Sequence, residues 1–113
     1  MTGQRVHSDQ DYLILVAVST EPLHGYAITQ QVSALTGGAL TLLPGTLYKA
    51  LDRLLTGGWL EIASEEVVNS RLRRNYRLTG AGRAVLTAEV ARRGQLEREV
   101  RRRMRGPAFG ASA

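Results

Sequence analysis

The chain has 113 residues, with fifteen Lys and Arg against ten Asp and Glu, a formal net charge of +5 and no cysteine. That length predicts one domain, and a domain of this size buries roughly two-thirds of its unfolded surface, enough for a core. The missing cysteines exclude disulfides, thiolate metal sites and a cysteine nucleophile, while 43% hydrophobic and 22% charged residues fit a globular chain rather than a disordered or membrane-embedded one.

Ser8 to Thr20 reads as a first helix, with Ser8 or Asp9 as N-cap and an apolar run from Tyr12 to Val18. A helix apolar on nearly every face belongs in the middle of a fold. Its seven-residue apolar run is the longest in the sequence, against about 20 residues for a membrane span. The start, MTGQRVHSDQD, lacks the basic-then-apolar layout of a secretory signal, so a cytoplasmic location without membrane contact is expected. Pro22 ends the helix, because a proline disfavours the helical conformation in the residue before it.

His24-Gly25 leads into a second helix, Tyr26 to Leu35, with Tyr26, Ile28, Val32 and Leu35 as its apolar positions. Thr36-Gly37-Gly38 stops it, since glycine accepts the left-handed cap conformation. Ala39 to Leu43 reads as a short extended link. Pro44 then opens a third helix, having no N–H to leave unsatisfied at the first helical position. Leu47, Leu51, Leu54 and Leu55 form one continuous stripe, and Gly45, Thr46, Tyr48, Lys49, Asp52 and Arg53 occupy the opposite face. Thr56-Gly57-Gly58 terminates it.

Trp59 to Val68 reads as a strand with Leu60 and Ile62 on one face. Asn69-Ser70 is a turn signal, and Arg71 to Thr79 returns with Tyr76 and Leu78 on one face. Three helices followed by a two-stranded hairpin make a winged helix-turn-helix. Thr79 caps a final helix running to about Arg105. Leu86, Val90, Leu96, Val100 and Met104 form a thin seam along it, interrupted by Arg93 where a strict heptad would be apolar. Gly94 adds about 1 kcal/mol of helix cost relative to Ala. A helix this long cannot bury its seam on so small a domain, so it is expected to pack against its symmetry mate through Leu86, Val90, Leu96 and Val100. The expected fold class is therefore mainly α with a small β-hairpin. A winged helix-turn-helix over 8–79 is followed by a C-terminal dimerisation helix over 80–105 and a flexible tail over 106–113.

The charge is unevenly placed. Residues 92–105 carry seven Arg against Glu97 and Glu99, whereas residues 1–91 hold eight basic and eight acidic side chains. The excess thus sits at the end of the dimerisation helix, where it either attracts phosphates or keeps the helix soluble. In the neutral remainder, cations gather on two elements. On the third helix, Gly45 and Thr46 at the N-terminus suit an anion, Tyr48 suits a phosphate or sugar, and Lys49 and Arg53 lie on one face within reach of guanine edges or backbone. On the hairpin, Arg71, Arg73 and Arg77 share one face with Arg74 opposite, cations a wing needs to neutralise phosphates. Glu65 and Glu66 on the partner strand are able to pair with them instead, as surface ion pairs of little energetic weight.

The segments HGYAI (24–28), GTLYKALDRLLTGGWLE (45–61) and RRNYRLTGAGR (73–83) together resemble the PadR family of bacterial transcriptional regulators, over roughly residues 8–105. The single C-terminal helix resembles that of the small-subfamily members, in which it forms the homodimer interface. The resemblance implies a dimeric repressor that binds double-stranded DNA at an inverted repeat and is released by a small-molecule effector, with Thr46, Tyr48 and Lys49 on the recognition helix and Arg71, Arg73 and Arg74 on the wing. Lys49 departs from the proline common after the GTLY tyrosine and adds a cation to the DNA face. No aromatic residue lies between Tyr76 and Phe109, so the dimerisation helix offers no ring for stacking an aromatic drug. Trp59 and Tyr12 are the remaining rings able to line an effector site, and a core position is the expectation for both.

An enzyme is not expected, since no base, nucleophile and orienting group occur together. No cofactor or metal is expected either: His7-x-Asp9-x-Asp11 falls where a helix begins, and capping explains it better. The alternative function is a winged-helix protein-interaction module with only non-specific affinity for DNA.

Overall fold

The structure, a computed structural model, describes residues 5, 6 and 8–106. His7 and the tail beyond residue 106 lie outside the described residues. Four helices and three strands follow in the order α1 (Asp9–Ala17), β1 (Leu23–His24), α2 (Gly25–Leu35), α3 (Pro44–Thr56), β2 (Leu60–Val68), β3 (Arg71–Leu78) and α4 (Gly80–Met104). This is the winged-helix layout with a long C-terminal helix.

Capping chemistry sets most boundaries. Ser8 accepts from the Asp11 N–H at the start of α1, and Thr79 does the same for Gly82 at the start of α4. α2 and α3 both end in a paired-carbonyl glycine cap. The Gly37 and Gly38 N–H groups reach Ala34 and Ser33, and those of Gly58 and Trp59 reach Leu55 and Leu54, with Gly37 (φ +62°) and Gly58 (φ +81°) left-handed. α1 ends three residues earlier than the expected Thr20. The Ser19 hydroxyl and N–H both turn back to the Val16 carbonyl, and the chain then leaves the helix axis to feed β1.

The expected two-stranded hairpin is instead a three-stranded antiparallel sheet in the order β1-β3-β2. Leu23 and His24 pair with Tyr76 and Asn75, a segment too short to show alternation in sequence. The β2–β3 turn places Asn69 (φ 52°) and Ser70 (φ 65°) in left-handed conformations, which match the twist of a tight hairpin. A bulge at Ala63, between the pairs Ile62↔Tyr76 and Ser64↔Asn75, changes which β2 residues share a face. Below it Leu60 and Ile62 lie with Leu78 and Tyr76; above it Glu65 and Val67 lie opposite Arg74 and Leu72.

The core gathers on α1, where Ile14 and Leu15 are wholly buried, together with Ile28 and Val32 of α2 and Leu51 of α3. Leu47, Leu54, Trp59, Leu60, Tyr76 and Leu78 complete it, and Tyr12 packs at its edge. Tyr26 and Leu35 depart from expectation: they are 68% and 48% exposed, because α2 buries a narrow face centred on Ile28 and Val32.

α4 is fixed to the domain at its first turn. Thr79 donates its N–H to the Trp59 carbonyl and its hydroxyl to the Gly58 carbonyl. A Cβ on Gly82 would lie 2.0 Å from the Trp59 carbonyl oxygen, so only glycine allows this approach. Leu86 is 8% exposed and belongs to the domain core. This corrects its place in the expected intermolecular seam: two turns from the helix start, its side chain already has a partner in its own chain. Val90, Leu96, Val100 and Met104 remain 48–65% exposed, and the molecule extends 65 × 35 × 22 Å. No helix among the described residues is long and apolar enough to cross a membrane.

Candidate nucleic-acid interface

Burying Leu47, Ala50, Leu51 and Leu54 turns the other face of α3 to solvent. Gly45, Thr46, Lys49 and Asp52 are exposed there, and Tyr48 is half exposed. Pro44 occupies the start of α3, and no side chain caps its N-terminus, so the first turn presents Gly45 and Thr46 with the positive end of the helix dipole.

Arg53 has a different position from its neighbours. Its guanidinium donates to Asp11 Oδ1 at 2.6 Å, and the Asp11 side chain is 3% exposed. Arg53 therefore ties α3 to α1 by neutralising a buried carboxylate, while over half of its own side chain stays accessible. In sequence, Asp11 reads as a helix-terminus charge. The available signal was its place one residue before an apolar run, where an acid turned inward needs a cation.

A second buried acid lies on α4. Glu89 of α4 is 6% exposed and accepts from Arg92 and, at 2.6 Å, from Arg93 Nε. Arg93 also reaches Asp9 at 3.1 Å and lies over the Tyr12 ring, 3.8 Å from its centroid. The break in the apolar seam at position 93 is thus a polar link between α4 and α1. Farther along α4, Arg101 pairs with Glu97, and Arg102 and Arg103 with Glu99. The hydrogen bonds from Arg102 and Arg103 hold the Glu99 carboxyl below its usual range.

On the wing, the register sets acids against bases. Glu61 faces Arg77, Glu65 faces Arg74 and Glu66 faces Arg73, with side-chain contacts of 2.7, 2.8 and 3.4 Å respectively. These pairs are solvent-exposed, and such pairs contribute about 0–1 kcal/mol, so they hold the arginines in place without preventing exchange for a phosphate. Arg71 stands at the hairpin tip.

The two elements meet around Tyr48. The α2 N-terminus, α3 and the wing enclose an open cleft of about 700 Å³, to which Tyr48, Arg71, Arg73 and Arg74 contribute. Tyr48 lies against Gly25, where an added Cβ would come within 2.6 Å of its hydroxyl. His24 caps α2 through Nδ1, accepting from the Ala27 N–H at 3.3 Å, which leaves the proton on Nε2. Burial, with Arg73 adding to it and Glu66 opposing, lowers the His24 pKa from its ordinary 6.5. Burial and the neighbouring Tyr48 push the Tyr76 phenol up, against the pull of Arg74. Of the sequence-assigned positions, Tyr48, Arg71, Arg73 and Arg74 converge on this cleft. Gly45, Thr46 and Lys49 lie on the adjoining helix face, and Val90, Leu96 and Val100 on α4 lie apart from it. Among the described residues no group of three or more His, Cys, Asp or Glu forms a metal site.

Comparison with known proteins gives a consistent result. The family model described as the transcriptional regulator PadR-like family matches residues 14–88. Transcriptional regulator Rv3488 of Mycobacterium tuberculosis is 40% identical over 87 residues, covering 77% of this chain and 78% of that protein. A PadR-like transcription factor from Bacteroides fragilis superposes with a TM-score of 0.68 at 28% identity, covering 81% of this chain and 86% of that one. Bacillus subtilis PadR, solved in complex with operator DNA, shares the fold with a TM-score of 0.66 at 21% identity, over 74% of this chain and 48% of that one.

Proposed function

From its membership of the PadR-like transcriptional regulator family, to which this chain belongs, we propose that it is a homodimeric, sequence-specific DNA-binding repressor whose operator is an inverted repeat. The observation that carries this reading is the convergence of Tyr48 on α3 with Arg71, Arg73 and Arg74 of the wing around one solvent-open cleft. α3 enters the major groove, with Gly45 and Thr46 at its anion-favouring end and Lys49 toward the bases. The wing arginines neutralise phosphates of the flanking strand.

The second copy packs against the exposed side chains of Val90, Leu96, Val100 and Met104, which the domain itself leaves uncovered. A symmetric helix pair of this kind places the two α3 helices about one turn of DNA apart, roughly 34–36 Å. Relief by a small-molecule effector belongs to the same reading and rests on family membership alone. Arg53 contributes through the Asp11 contact that orients α3, and its accessible portion reaches the backbone.

Retardation of the protein's own promoter fragment tests the assignment. Tyr48→Ala and Lys49→Ala should each cost about 1–3 kcal/mol of specific binding. If both variants retard the fragment like the wild type, α3 does not read the operator. The interaction-module alternative then takes its place.

A further inference from the structure

α4 carries one stripe along its whole length. Gly82, Leu86, Glu89 and Arg93 follow at alternating steps of four and three, and Leu96, Val100 and Met104 continue the same face. The stripe changes surroundings at Arg93. Before it, Gly82, Leu86 and Glu89 are buried; after it, Leu96, Val100 and Met104 are 48–65% exposed.

Arg93 holds this changeover through three contacts. Its Nε donates to the Glu89 carboxylate within α4 at 2.6 Å. Its Nη2 reaches Asp9 Oδ1 of α1 at 3.1 Å, and the guanidinium lies over the Tyr12 ring, 3.8 Å from the centroid. A flat fork can serve two acids and cover a ring together, which a lysine ammonium cannot. The two arms differ in strength. The Glu89 side chain is 6% exposed, so its pairing holds Arg93 firmly. Asp9 is 82% exposed, and its pair adds little stability. The contact with α1 therefore sets a direction without being needed for the fold.

α1 carries that direction to α3. Two residues after Asp9, Asp11 accepts from Arg53 of α3. One turn of α1 thus bonds both α4 and α3, and the wholly buried Ile14 and Leu15 that follow root it in the core. The stretch from Arg93 to Met104 projects about 16 Å. A tilt of about 10° at Arg93 then moves the helix end by about 3 Å, close to one base-pair step of about 3.4 Å.

We propose that Arg93 is the positioning residue that fixes the angle at which α4 leaves the winged-helix domain and, through the α1 turn, the half-site spacing that the dimer accepts. The spacing rests on the dimeric DNA-binding reading above; the angle does not.

Two measurements on the full chain test this. The sequence has no cysteine, so Gln31→Cys on α2 and Arg98→Cys on α4 each take one spin label. Excess unlabelled chain separates labelled copies in any dimer, and pulsed dipolar spectroscopy reads the distance within one chain. One narrow distribution is expected. Arg93→Gln should at least double its width, Asp9→Ala should broaden it less, and Arg101→Gln, whose arginine pairs with Glu97 inside α4, should leave it unchanged. Asp9→Ala, at an exposed position, decides the matter should Arg93→Gln unfold. In the second measurement, duplexes retained from a random-sequence pool are sequenced. The wild type should retain inverted repeats of one spacing at least tenfold over those one base pair longer or shorter. Arg93→Gln should retain the three spacings within about threefold of one another. A loss of stability alone would weaken retention without changing that ratio. Unchanged widths in both variants, or broadened distances with the single spacing kept, overturn the proposal. Broadened distances with no repeat enriched by the wild type overturn the dimeric DNA-binding reading and leave the angle assignment standing.

Discussion

Arg53 of α3 donates to Asp11 of α1 at 2.6 Å, joining an exposed helix to a carboxylate that is 3% exposed. The carboxylate's burial sets the energetic sign. Removing its cation leaves a desolvated charge, whereas the half-exposed Arg53 regains water easily. Arg53→Ala should therefore lower unfolding stability by about 1–3 kcal/mol, less than for a fully buried pair. In an Asp11→Asn background the same change should cost markedly less. Denaturant unfolding of the four variants in a double-mutant cycle measures the coupling, and strict additivity would remove Asp11 as its partner.

Gly82 gives a second expectation. A methyl group there meets the Trp59 carbonyl oxygen at 2.0 Å, and a backbone atom cannot swing aside as a side-chain tip can. Gly82→Ala should destabilise by about 1–3 kcal/mol or more as α4 is pushed off the domain. Gly80→Ala, two residues earlier with open space at its Cβ, should change the unfolding midpoint little. Equal midpoints for both variants would contradict the close packing.

Gly25 behaves differently because its obstruction is mobile. The nearest atom to an added Cβ is the Tyr48 hydroxyl at 2.6 Å, followed by Leu47 Cδ2 at 3.3 Å. Gly25→Ala should cost stability by only about 1 kcal/mol while displacing Tyr48 from the cleft. Operator affinity should then fall by as much as in Tyr48→Ala. Unchanged affinity with a displaced ring would show that Tyr48 is not a contact.

How much of this was legible in sequence depended on the range of the interaction. Helices α2 to α4 were readable from glycine stops, Pro44 and the leucine stripe, because these signals act within a turn or two of the chain. The hairpin followed from alternation and Asn69-Ser70. β1 was not readable, since two residues carry no period. Its existence depends on Tyr76 and Asn75, some fifty positions away. Asp11 and Glu89 were missed for a related reason. Each is an acid made tolerable by an arginine, and for Asp11 that arginine is 42 positions distant. Leu86 fitted the seam by spacing, yet only packing shows that the domain covers it. The cleft required α2, α3 and the wing at once, so composition exposed its cations but not their convergence.

The His24 cap makes α2 sensitive to pH. The cap uses the neutral ring, since Nδ1 accepts from the Ala27 N–H, and the folded pKa lies below the ordinary 6.5. A depressed pKa means that the unfolded chain takes up the proton first. Its stabilisation is therefore present above about pH 6.5 and is lost as pH falls through the folded value. His24→Asn keeps a capping acceptor without titrating, so thermal melts between pH 7 and 5.5 should show a shallower loss for the variant. Parallel curves would exclude His24 as the titrating group.

The exposed side chains of Val90, Leu96, Val100 and Met104 form the interface of the proposed dimer. Val90→Asp places a charge in the proposed helix pair, and sedimentation analysis should then find monomers. An unchanged dimer would move the interface elsewhere.

The most direct measurement is selection of duplexes from a random-sequence pool by the purified full chain, followed by sequencing of the retained DNA. The expected result is an inverted repeat whose half-sites are centred about 10–10.5 base pairs apart, with the enrichment lost in Tyr48→Ala. A flat profile, in which retention follows salt but not sequence, would contradict a sequence-reading dimer.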